Sequence, residues 1–134
     1  MFTATFPLRF GHCDPAGIAF YPRYFELCDA AIEDWTAAVL GQDRRTLHLD
    51  LKLGLPTVSL QADFSKASRL GDQLAFAIRT RRIGNSSVDL DLTVTSDGET
   101  RFLARYTMVL IDLVTLQATS WPAPLRERLN KEVE

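Results

Sequence analysis

One helical stripe stands in a chain whose second half otherwise alternates. Phe25, Cys28, Ile32, Trp35 and Val39 fall at offsets of 3, 7, 10 and 14 from the first, the spacing of one face of an α-helix about four turns long. Pro22 sits where such a helix begins, at a position that needs no backbone donor. Gly41 suits its C-terminal stop. After Pro56 the period changes to two. Val58, Leu60, Ala62 and Phe64 alternate with Ser59, Gln61 and Asp63, and Leu74, Phe76 and Ile78 repeat the pattern. Val88, Leu90, Leu92 and Val94 alternate with acids and threonines, and Phe102 to Leu110 continues, with Leu103, Val109 and Ile111 making that strand apolar on both faces. Gly84-Asn85 and Asp97-Gly98 are hairpin signals between these runs. Ahead of the helix, Phe2, Phe6, Leu8 and Phe10 alternate as a strand that Pro7 confines to an edge. Arg126–Glu134 reads as a charged tail forming a short or frayed helix.

A lone helix with one apolar face needs a sheet face to cover it. The expected fold is therefore α+β: a curved antiparallel sheet of five or six strands wrapped around one central helix. No repeat or linker divides the sequence, and 134 residues are the size of one domain, so residues 1–134 are expected to fold as a single unit. Apolar residues on the outer sheet faces predict self-association.

Composition narrows the function. With 46% hydrophobic residues the chain has the apolar content that disordered chains lack. Fifteen basic against seventeen acidic residues give no concentration of positive charge for nucleic-acid binding. No apolar run spans a bilayer, and Met1–Phe10 lacks the layout of a signal peptide. The expected location is the cytoplasm, without a membrane partner. Cys13 and Cys28 form no disulfide framework, and with His12 and His48 they lack metal-ligand spacing, so no metal is expected. Asp14 beside Cys13 disfavours a thiolate nucleophile. A Gly-x-Ser-x-Gly elbow, a phosphate-cradling loop and a dinucleotide fingerprint are all missing.

What remains is Gly11-His12-Cys13-Asp14-Pro15-Ala16-Gly17-Ile18-Ala19-Phe20-Tyr21-Pro22-Arg23-Tyr24. It is a turn-rich loop holding a carboxylate seven residues before a tyrosine at the mouth of the helix. A helix start offers free N–H groups and about half a positive charge, and such donors polarise a bound carbonyl. A carboxylate near the carbonyl carbon can attack it or take a proton from an attacking water. The same residue can instead cap a turn, since Asp before Pro commonly starts one. Pro22 pushes Tyr21 out of the helical region, so the helix is expected to start earlier, near Ile18, or to hold Tyr21 only half in.

The motif Cys13-Asp14-Pro15-Ala16-Gly17-Ile18, followed by Tyr21-Pro22-Arg23-Tyr24, resembles the 4-hydroxybenzoyl-CoA thioesterase group of the hotdog-fold acyl-CoA thioesterases. The likeness extends more loosely, through Asp29-Ala30-Ala31 and the strands, over most of the chain. The hotdog architecture is the one the periodicity predicts. The resemblance implies that Asp14 is the catalytic nucleophile or general base on a thioester carbonyl, and that the Tyr21 amide polarises that carbonyl. It further implies that Gly17 of the motif lies at the substrate and that Asp29 meets an aryl hydroxyl from the neighbouring subunit. Ser86 and Ser87 fall at the turn where members hold coenzyme A, and Arg81, Arg82 and Lys66 are candidates for its phosphates. His12 stands where the best-known members have an acid. Phe20, Tyr24 and Phe64 are candidates for an aryl pocket or for core.

The function expected from the resemblance is hydrolysis of an acyl-CoA thioester with an aromatic, hydroxybenzoyl-like acyl group. No cofactor is needed, because coenzyme A is part of the substrate. A dimer or dimer of dimers (a homotetramer) is the expected assembly. Three alternatives stay open: a thioesterase for short-chain acyl-CoA or acyl carrier protein, a hotdog dehydratase using His12 with Asp14, and a non-catalytic acyl-CoA-binding module.

Overall fold

The computed structural model describes residues 1–133; Glu134, the last residue of the charged tail, lies outside them. Five strands form one antiparallel sheet: β1 (Phe2–Pro7), β3 (Thr57–Phe64), β4 (Gln73–Ile83), β5 (Ser87–Ser96) and β6 (Glu99–Val109). Their spatial order is β1-β4-β5-β6-β3. A short ribbon pairs β2 (Leu53–Gly54) with β7 (Ile111–Asp112). The long helix α1 (Tyr21–Trp35) runs into a widened turn at Thr36–Leu40 and ends on Gly41, whose φ of 72° suits a residue without Cβ. It packs on one face of the sheet, against β1 and β4. Tyr24, Leu27, Cys28, Ala31, Ile32 and Trp35 form its buried face, a broader stripe than the periodicity singled out, and Phe25 is half-buried. They meet Leu74, Phe76, Ile78, Leu90, Leu92, Val94 and Phe102 in one core. This is the expected hotdog architecture.

Asp97 and Gly98, at φ of 51° and 74°, turn the β5–β6 hairpin as predicted. The β4–β5 loop lies one residue further on than predicted: Gly84 N–H bonds to Ser87 O, so Asn85 and Ser86 are its tip. Pro7 closes β1 at an edge of the sheet. Phe10 does not continue that strand. It lies in a short helical turn and is 83% exposed.

Of three other expectations, two are corrected and one holds with a shifted boundary. The helix does not begin near Ile18, because Ile18 and Ala19 are bridged to Arg69 and Cys13 and cannot coil. Tyr21 is its first residue, after an extended Phe20, and Pro22 falls in the first turn, where its missing N–H costs no bond. The short helix expected in the charged tail is present and begins earlier, at Ala123. Helix α2 (Ala123–Asn130) starts directly after Pro122, buries Leu125 and Leu129, and sends Arg128 Nε to the Val39 carbonyl at 3.0 Å. The outer sheet face is dominated by ions rather than apolar groups: Asp91 pairs with Arg79 at 3.0 Å, Arg81 at 3.2 Å and Arg105 at 3.5 Å. Leu103 is its one exposed large apolar group among the described residues, and the other exposed apolar groups of the sheet sit on β3. It is the other edge strand: Val58 and Leu60 are exposed because α1 packs mainly on β1 and β4, and Phe64, at the end of β3 that reaches the start of α1, stays half-exposed.

Candidate active site

The segment before α1 folds back on itself. Cys13 bridges Ala19, Asp14 N–H donates to Ile18 O at 2.9 Å, and Phe20 N–H donates to His12 O at 2.9 Å. Asp14-Pro15-Ala16-Gly17 is a turn closed by Gly17 N–H on Asp14 O, and Gly17 takes φ 78°. Asp14 Oδ1 accepts the Ala16 N–H at 2.9 Å. Its carboxylate is therefore oriented as a turn cap, and its second oxygen takes no hydrogen bond among the described residues. The capping and chemical readings of Asp14 are compatible: one oxygen fixes the group and the other is available.

Asp14 lines a cavity of about 390 Å³ with Phe10, Cys13, Pro15, Gly17 and Leu70. Tyr21 lines a neighbouring one of about 230 Å³, whose wall includes Ile18, Ala19, Tyr24, Phe64 and Ser68. A single chain thus puts Asp14 and Tyr21 on two separate cavities without a shared lining residue, whose walls take consecutive residues of one stretch, Gly17 in the first and Ile18 and Ala19 in the second. The Tyr21 N–H stands at the start of α1, where amides lack partners within the helix. Phe64 gathers the aromatic groups: its ring lies 6.1 Å from Tyr21, 6.0 Å from Tyr24 and 4.9 Å from Phe102. Phe20 is half-exposed and edge-on to Tyr21, whereas Tyr24 is core, stacked on Phe102 at 5.1 Å. Burial first, and then the Asp14 charge, push the Cys13 thiol up, as the sequence predicts for a disfavoured thiolate. His12 Nδ1 accepts the Arg9 N–H at 3.0 Å, so in the neutral ring the proton sits on Nε2.

Most of the other predicted residues lie elsewhere. Asp29 is exposed on the face of α1 turned away from the core. Ser86 and Ser87 sit at the far end of β4, about 30 Å from its start beside the Asp14 loop at 3.3 Å per residue. There their carbonyls accept Leu110 N–H and Trp121 Nε1–H. Arg81 is spent on Asp89 and Asp91, whereas Arg82 is exposed. Lys66 borders the Tyr21 cavity and pairs with Glu99 at 3.0 Å.

Sequence reasoning missed the support beneath the loop. Ser68 O accepts Ala19 N–H at 2.9 Å, and Leu70 N–H donates to Gly17 O at 3.0 Å. Segment 65–72 is held in turn by Arg101, which donates to Asp72 Oδ2 at 2.7 Å. An arginine three residues past a hairpin turn reads as a solvated strand charge, and no periodic signal marks it otherwise. Asp72 is held below the usual carboxylate range first by the Arg69 N–H and then by Arg101. Lys66 does the same for Glu99, and the Thr46 N–H for Asp43. The unfolded chain binds protons more readily at these groups, so their contribution is complete above the ordinary carboxylate pKa and disappears as pH falls through the lowered folded values. A thermal melt is therefore expected to be level down to about pH 5 and to fall below about pH 4, with Asp72→Asn less acid-sensitive than the parent. Equal acid sensitivity in the two would exclude Asp72 from this role.

Comparison with known proteins agrees with this architecture. Residues 8–129 match the thioesterase-like superfamily. The chain belongs to that superfamily. It is similar to a 1,4-dihydroxy-2-naphthoyl-CoA hydrolase of Acaryochloris marina, 26% identical over 92% of this chain and 89% of the relative. Among solved structures, a thioesterase superfamily protein from Jannaschia sp. superposes with a TM-score of 0.92 at 25% identity, covering 99% of this chain and 93% of that one. A gentisyl-coenzyme A thioesterase superposes at 0.84 and 25% identity, covering 92% and 98%.

Proposed function

We propose that this thioester hydrolase of the thioesterase-like superfamily acts on aromatic acyl-CoA thioesters, with a hydroxyaryl acyl group as the preferred class. The observation that carries the reading is the Asp14 carboxylate, fixed through one oxygen by the Ala16 N–H and open through the other beside a helix start. The thioester carbon would lie beside Gly17–Ala19, the stretch whose residues contribute to the walls of both cavities. Asp14 would either attack it, forming a mixed anhydride as the C–S bond breaks and the CoA thiolate leaves, with water then cleaving the anhydride, or take a proton from the water that attacks as the thiolate leaves; the Tyr21 N–H would take the developing charge of the carbonyl oxygen, an interaction commonly worth about 3 kcal/mol. The rings of Tyr21 and Phe64 offer apolar edges and faces to an aryl group. The names of the relatives, with naphthoyl and gentisyl acyl groups, support the aromatic class and favour no single substrate, 4-hydroxybenzoyl-CoA included. Binding roles for Gly17, Asp29, Arg82, Ser86 and Ser87 belong to this reading. Those residues are spread over both ends of the sheet, so it also requires self-association. The exposed apolar edge strand β3 is consistent with that.

The dehydratase reading loses support because His12 spends Nδ1 on the Arg9 amide rather than on Asp14. A panel of acyl-CoA thioesters read by thiol release tests the proposal. Hydroxybenzoyl, gentisyl and dihydroxynaphthoyl thioesters should exceed acetyl- and hexanoyl-CoA in kcat/KM by at least about tenfold, the scale on which a ring-sized apolar contact discriminates. Faster turnover of the aliphatic thioesters would overturn the aromatic assignment.

A further inference from the structure

We infer that Arg101, with Ser68, Asp72 and Tyr24, is a positioning set that holds the Asp14 loop and the start of α1 in working register; the inference rests on the function proposed above. Arg101 is an ionisable side chain buried at 8% exposure in the midst of an apolar strand. Burying a guanidinium is costly unless its charge and donors are matched, and here the charge is paired with Asp72 and Glu99 while one Nη makes the hydrogen bonds and the buried Nε makes none. One Nη donates to Asp72 Oδ2 at 2.7 Å, to Ala67 O at 3.2 Å and to Ser68 Oγ at 3.3 Å, while Nε is ion-paired with Glu99 at 2.9 Å. Tyr24, one turn into α1, donates its hydroxyl to the same Ser68 Oγ.

The backbone is built to deliver this side chain. On β6, Thr100 pairs with Thr95 and Phe102 with Val94, so Arg101 is the extra residue of a β-bulge. The bulge buries Arg101 and Phe102 in succession, where a regular strand would send one of them outward. It also frees the Arg101 carbonyl, which accepts the N–H groups of Ser65 and Lys66 at 2.9 and 3.3 Å. Side chain and carbonyl together clamp segment 65–72 to the sheet. That segment in turn grips the catalytic loop through Ser68 O on Ala19 N–H and Leu70 N–H on Gly17 O. Arg101 touches neither cavity-facing oxygen of Asp14 nor the Tyr21 N–H. It acts on both through the stretch Gly17–Ala19 that lies between them, and Tyr24 ties the same serine to the helix that presents the amide.

The test compares Arg101→Met, Arg101→Lys and Tyr24→Phe with the parent, using steady-state thiol release from a hydroxyaryl-CoA and amide hydrogen exchange. Arg101→Met should lower kcat by about tenfold to a hundredfold, the cost of displacing reacting groups by about an ångström, with KM little changed. The Ala19 and Leu70 amides should lose protection while those of Leu90 and Leu92 in β5 keep theirs. Arg101→Lys, which keeps charge but not the fork, should recover part of kcat and part of that protection. Tyr24→Phe keeps the ring on Phe102 and loses only the hydroxyl, so it gives the same split at smaller size even where Arg101→Met does not fold. Wild-type kcat in a folded variant whose loop amides are unprotected overturns the inference. So does a loss of kcat with loop protection intact. Asp14→Asn run in parallel separates the two levels: full turnover there rejects the proposed chemistry, whereas the exchange data still report whether the set pins the loop.

Discussion

Replacing Asp14 by asparagine should reduce kcat for thiol release by about a thousandfold or more, which corresponds to about 4 kcal/mol of barrier. The asparagine carbonyl oxygen can still accept the Ala16 N–H that Oδ1 now accepts, so the turn and the Tm should be preserved. What disappears is the negative oxygen with no protein partner, the group able to attack a carbonyl or accept a proton from water. No side chain is placed to replace it. His12 has its Nδ1 engaged by Arg9, and burial, the larger cause and one that does not depend on Asp14, still pushes the Cys13 thiol up. The measurement is a steady-state assay beside a thermal melt. Turnover at the parental rate in a folded variant would remove Asp14 from the mechanism and leave only the fold and family assignments.

Phe102→Ala should give the largest loss of stability. Phe102 is fully buried on β6. Its ring stacks on Tyr24 and meets Phe25 at 5.9 Å and Phe64 at 4.9 Å. Truncating a buried aromatic to alanine costs about 3–5 kcal/mol through lost transfer energy and the cavity left behind, a drop in Tm of roughly 10 °C or more in a chain of this size. The effect should extend to the site, because Tyr24 and Phe64 lose the surface that fixes them beside the Tyr21 cavity. Phe102→Leu, which refills part of the volume, should recover a large share of both stability and activity. A Tm within a few degrees of the parent for the alanine variant would show that the aromatic cluster does not hold this corner of the fold.

Periodicity carried far in this chain because its two periods are cleanly separated. The stripe from Phe25 to Val39, the alternation in β4 and β5, and Asp97-Gly98 each state a local preference that the packed structure keeps. Where it fell short, the burial depended on a neighbour and not on local pattern. Val58 and Leu60 alternate as well as any core strand, yet they lie on the edge strand β3, away from the strands on which α1 mainly packs. Leu125 and Leu129 are four apart in a charged run, and their burial depends on α1 ending beside them. Pro22 argued against a helical Tyr21, but the bridges of Ile18 and Ala19 leave no earlier place to start.

The candidate site divides the same way. Asp14, Gly17 and Tyr21 are readable because a loop motif is local: turn chemistry and a helix start need only a few consecutive residues. Arg101, Ser68 and Asp72 are not, since their meaning arises from a bulge that pairing with β5 creates and from a segment more than forty residues beyond the loop it supports. The amino-acid order alone determined the helix, the strand periods and the carboxylate loop, all set by interactions within a few residues. Only the tertiary structure decided which apolar faces are covered, which arginine is buried and what holds the loop in place, because each of those depends on a partner that folding brings from elsewhere in the chain.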